Sequence, residues 1–68
     1  MIVKVNEKER EKRKGSIWST VDLLDGKNYT VLRTEYMANN PSWPYYAIVD
    51  ESGEDYLYPA SLFDIVEE

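Results

Sequence analysis

Asp50, Glu51, Glu54 and Asp55 flank Gly53 on one short stretch of the chain. Clustered carboxylates are the donors that Ca2+ and Mg2+ prefer. A pair of them with separated pKa values can run general acid/base chemistry. Neither use fits well here. The spacing is not that of a helix-loop-helix calcium site, and no further oxygen donors accompany it. Acid/base work needs a pocket, and a small barrel fills its interior with side chains. The acids therefore read as a solvated turn around Gly53. The chain has no His and no Cys, so it lacks the usual general base near neutral pH and the common zinc ligands. No nucleophile arrangement, phosphate loop or dinucleotide fingerprint occurs. The expectation is a protein that is not an enzyme and needs no cofactor and no metal.

The aromatic residues are more informative. Six Tyr, two Trp and one Phe occur in 68 residues. Each buries about 150–250 Å² when enclosed, more than so small a core can take from all of them. Trp18, Tyr36, Trp43 and Tyr45 are the candidates for a surface patch, where amphipathic rings commonly mark a contact site.

Charge is unevenly placed. All eight Lys and Arg lie within residues 1–34 beside five acids, whereas residues 35–68 carry eight acids and no base. The short basic knot Lys12-Arg13-Lys14 is offset by Glu7, Glu9 and Glu11, and the net charge of −5 opposes phosphate. Direct nucleic-acid binding is not expected. The acidic half supports a different idea, a decoy that occupies a partner's nucleic-acid-binding site through Glu51, Glu54, Asp55 and Asp64. No apolar run approaches the roughly 20 residues of a membrane helix, and the first residues turn charged too soon for a secretion signal. The expectation is a cytoplasmic monomer without membrane contact.

These residues need elements to position them, and the pattern is that of short strands. Ile2–Val5 is β-branched and predicts a first strand. The charged run from Asn6 to Ser16 has nothing apolar to bury, so a mobile loop is the expectation. The alternative is a short helix capped by Asn6 and Gly15 and laced by a Glu9–Arg13 pair. Ile17–Val21 is a strand or the descending arm of that loop. Asp22–Lys27 is a turn with Gly26 at positive φ. Asn28–Tyr36 is the clearest strand, with Tyr29, Val31 and Arg33 on one face and Thr30, Leu32 and Thr34 on the other. Residues 37–42 form a loop. Tyr45–Asp50 and Tyr56–Tyr58 make a hairpin closed by Gly53. Pro59 starts one helical turn over Ala60–Phe63, and Asp64–Val66 closes the chain as a strand. Alternation predicts a core of Val3, Val5, Tyr29, Val31, Tyr46, Ile48, Tyr58, Phe63 and Ile65. Residues 1–68 then form one all-β domain, a small barrel of five to six short strands with one 3-10 turn near the C-terminus.

Residues 22–66 resemble an SH3-like domain. Leu23-Leu24-Asp25-Gly26-Lys27 followed by Tyr29-Thr30-Val31-Leu32 looks like the family's diverging turn and second strand. Tyr45-Tyr46 sits at its paired aromatic position, and Gly53 at its distal hairpin. Tyr58-Pro59-Ala60-Ser61-Leu62-Phe63 is similar to its helical-turn segment. The small bacterial and phage members are the closer match. The resemblance implies a protein-interaction module with an aromatic groove for a protein or peptide partner. Two positions depart from the peptide-binding pattern. Asn6-Glu7-Lys8 stands where one aromatic wall normally lies, and Leu62 stands where a Tyr is usual. The implied contact patch comprises Trp43, Tyr45, Leu57, Pro59 and Leu62.

Overall fold

The computed structural model describes residues 1–13, 21–36 and 42–68. Five antiparallel strands are present: β1 (Ile2–Val5), β2 (Asn28–Tyr36), β3 (Pro44–Val49), β4 (Asp55–Pro59) and β5 (Phe63–Glu67). They lie in the order β4-β3-β2-β1-β5. A 3-10 helix, Ala60–Leu62, joins β4 to β5. The fold is thus a small all-β one with a single 3-10 turn near the C-terminus.

β2 organises this sheet because it is shared. Its first residues pair with β1 (Val3 opposite Tyr29), and its remainder pairs with β3 (Val31 opposite Ile48). The ladder breaks register between Val31 and Arg33. A bulge of this kind sharpens the local twist and bends the strand, which turns the β2-β3-β4 meander away from β1 and β5. The bulge also corrects the simple alternation expected for β2. Thr34, not Arg33, falls opposite Tyr46. Tyr29 and Val31 face the core, and beyond the bulge Arg33 and Thr34 are both exposed.

The core collects one face of each strand. Val3, Val5, Tyr29, Ile48, Tyr58 and Phe63 are buried together, with Val31 and Tyr46 packed against them. Phe63 meets Tyr58 edge-on at 6.2 Å and Tyr46 in a tilted contact at 6.1 Å, arrangements that aromatic quadrupoles favour. Buried residues beyond the expected core include Leu23, Ala47 and Leu62. Leu23 and Leu62 lie in irregular segments, where no strand period marks an inward residue. Ile65 departs the other way. It sits opposite Val3 on the inward face, as alternation requires, yet it is 49% exposed. β5 is an edge strand, and nothing among the described residues covers Ile65 at that end.

The two turns rest on glycine. Gly26 and Gly53 have φ of 77° and 84°, values that strain any residue with a Cβ. Gly53 N–H donates to the Asp50 carbonyl at 3.0 Å and closes the β3-β4 hairpin.

The charged run is not an open loop over its described part. Glu7–Lys12 forms α1, a six-residue helix. The Asn6 side chain accepts the Glu9 N–H at 3.0 Å, the N-cap bond that satisfies a free donor of the first turn. Glu7 and Glu9 lie in the first turn, and Arg10 and Lys12 in the last, which suits the helix dipole. Glu9 pairs with Lys12 at 3.6 Å rather than with Arg13. The helix buries no residue. It is held by polar contacts: Asn6 N–H to the Leu62 carbonyl at 2.8 Å, Asn6 Nδ2 to Asp64 at 3.0 Å, and Arg10 to Asp25 at 2.9 Å. The expected strand at residues 17–21 lies outside the described residues except for Val21. So do Trp18, the Gly15 cap and all but Ser42 of the loop at residues 37–42.

Candidate functional site

The 3-10 helix and the start of β3 meet at a cleft of about 640 Å³. Pro44 begins β3, and its fixed φ and missing N–H suit the first residue of a strand. Trp43 precedes it and stands 61% exposed. Tyr45 pairs with Pro59 across the β3-β4 ladder, so the ring and the pyrrolidine share one wall. Tyr46, Phe63 and Ile65 supply the apolar floor, and Ala60 and Ser61 bring the 3-10 helix to the rim. The volume lies within the roughly 300–1,000 Å³ of small-ligand sites.

Three of the five anticipated residues, Trp43, Tyr45 and Pro59, line this cleft. Leu57 does not. It pairs with Ala47 farther along β4 and is half-buried outside the cleft. Leu62 is corrected outright: it is 0% exposed and belongs to the core. The 3-10 helix turns its last residue inward, so Leu62 anchors the groove wall from behind and presents nothing to a ligand. Tyr36 is exposed but does not reach the cleft among the described residues.

Arg13 was missed as a lining residue. It ends α1 at the C-cap position, and its guanidinium donates to Ser61 Oγ on the 3-10 helix. Its Nε is shielded from solvent and has no acceptor among the described residues. An unsatisfied buried donor of this kind costs about 1–3 kcal/mol. No local pattern in the charged run separates Arg13 from its neighbours. Only the fold brings it to Ser61.

The acids of the β3-β4 turn diverge. Asp50 is 4% exposed and points inward. It accepts the Tyr58 hydroxyl at 2.5 Å, the Ser52 hydroxyl at 2.5 Å and the Ser52 N–H at 2.9 Å. Burial pushes its carboxyl up, and these hydrogen bonds outweigh that and hold it below the usual 3.8. Burial and the same carboxylate raise the Tyr58 phenol. Glu51 pairs with Lys27 at 2.5 Å, Asp55 approaches Arg33 at 3.6 Å, and Glu54 accepts the Tyr56 hydroxyl at 2.8 Å. Among the described residues no three His, Cys, Asp or Glu side chains converge as a metal site. Nor is any helix there long and apolar enough to cross a membrane.

No family model matches the chain, and neither a curated protein nor a solved structure matches it significantly.

Proposed function

We propose that this protein is a non-catalytic interaction module of SH3-like type, which grips an extended segment of a protein partner in the cleft beside Trp43. One observation carries the reading: an exposed Trp, a half-buried Tyr and a buried Pro line one cleft over an apolar floor. Grooves of this composition fit extended, proline-containing chain, whose low conformational freedom keeps the entropy cost of binding small. On this reading the protein acts as a cytoplasmic monomer and needs no cofactor. The alternative, an acidic decoy for a nucleic-acid-binding site, draws support from the acid-rich second half. Lys27, Arg33 and Tyr56 already engage Glu51, Asp55 and Glu54, which weakens it.

Salt separates the two readings. The parent and a Trp43→Ala/Tyr45→Ala variant are immobilised and offered a random peptide display library at about 0.15 M and 0.5 M salt, where the screening length drops to a few ångströms. Peptides retained by the parent at both concentrations and lost by the variant support the groove. Ligands that leave at high salt and ignore the variant support the decoy.

A further inference from the structure

Among the described residues, the cleft is lined by a single charged group, and that group is a cation, Arg13. The contrast with the rest of the chain is sharp, since the net charge is −5 and residues 35–68 contain no base. Four cations outside the cleft have a local carboxylate: Arg10 with Asp25, Lys12 with Glu9, Lys27 with Glu51 and Arg33 with Glu35. Among the described residues Arg13 has no carboxylate partner of this kind. Its guanidinium donates to the neutral Ser61 hydroxyl, and its Nε has no acceptor among the described residues.

Resting on the groove reading, we infer that the occupant is an extended peptide segment carrying an Asp or Glu beside its apolar residues, with that carboxylate received by Arg13. A guanidinium presents parallel N–H donors in a rigid fork that matches a carboxylate, and such bonds are about twice as strong as neutral ones. A basic segment is disfavoured, because it would bring a second cation to a wall with no acid among its described residues. A polyanion is disfavoured by the overall negative charge. A single carboxylate within an otherwise apolar segment satisfies both constraints.

The test uses the full chain, 15N-labelled, and a ten-residue peptide of alternating Pro and Leu. Asp is moved through each position, with matched Asn and Lys peptides at every step. At one or two positions the Asp peptide should bind about five- to tenfold tighter than its Asn counterpart, the size expected of one charge-assisted pair in a partly shielded site. Arg13→Gln should erase that difference, and Arg13→Glu should shift the preference to Lys. If Asp, Asn and Lys peptides bind alike everywhere while the Trp43 and Tyr45 signals still move, the inference fails and the groove reading stands. If no peptide moves those signals, both fall. Should either Arg13 variant fold poorly, the Asp-to-Asn ratio on the parent decides alone.

Discussion

Removing the Tyr58 hydroxyl tests whether the buried polar node at Asp50 holds the β3-β4 hairpin to the core. Asp50 is 4% exposed and Tyr58 5%. Their contact of 2.5 Å joins the hairpin's turn to the core face of β4. Tyr58→Phe keeps the ring against Phe63 and deletes only the donor. Hydrogen bonds to a charged group are worth about 1.5–3 kcal/mol, with the larger cost when the partner stays buried and unsatisfied. A chain of this length has roughly 3–10 kcal/mol of stability in all, and each kcal/mol moves the melting temperature about 4–8 °C. A fall on the order of 10 °C is therefore expected by circular dichroism at neutral pH. Because the Asp50 carboxyl is held below 3.8 in the folded state, its contribution is complete above the unfolded value. That contribution is lost as pH falls through the folded one. Asp50→Asn should thus be clearly destabilised at pH 7, and its gap from the parent should narrow below about pH 4. A Tyr58→Phe protein melting within about 2 °C of the parent, with an Asp50→Asn gap constant in pH, would refute the argument.

Four further outcomes follow from the packing. Ile48→Asp should abolish the cooperative transition, since it places an unpaired charge at a site with 0% exposure. Ile65→Asp, on the same inward alternation but at the open cleft, should leave melting within a few degrees and weaken peptide binding instead. Leu62→Ala should cost about 2–5 kcal/mol in denaturant unfolding; a near-neutral effect would return Leu62 to the surface. Amides of α1 should exchange far faster than those of Val31 and Ile48, because a helix of six residues that buries nothing is marginal. Protection equal to that of the strands would make α1 an integral element.

Much of the fold was legible. The Gly26 and Gly53 turns, the long β2, the β3-β4 hairpin and the Pro59-led helical turn each carry a local signature with one structural answer. The site was legible only in part. Trp43, Tyr45 and Pro59 were recognisable because rings and a Pro near strand ends have few other uses. Leu62 was misplaced because a 3-10 turn has no two-residue alternation to mark its inward side. Ile65 alternated correctly, but alternation reports facing and not cover, and an edge strand supplies less of it. α1 was set aside for want of an apolar face, when one Asn cap and a few polar contacts suffice to place it. Arg13 reaches the cleft through tertiary structure, which a charged run cannot advertise.

The most direct measurement is an NMR map of where a groove-selected peptide lands on the 15N-labelled protein at about 0.5 M salt. Amide shifts concentrated at Trp43, Tyr45, Tyr46, Ser61 and Ile65, and abolished by Trp43→Ala/Tyr45→Ala, are the predicted result. Shifts centred on Glu51, Glu54 and Asp55 that vanish at this salt would contradict it.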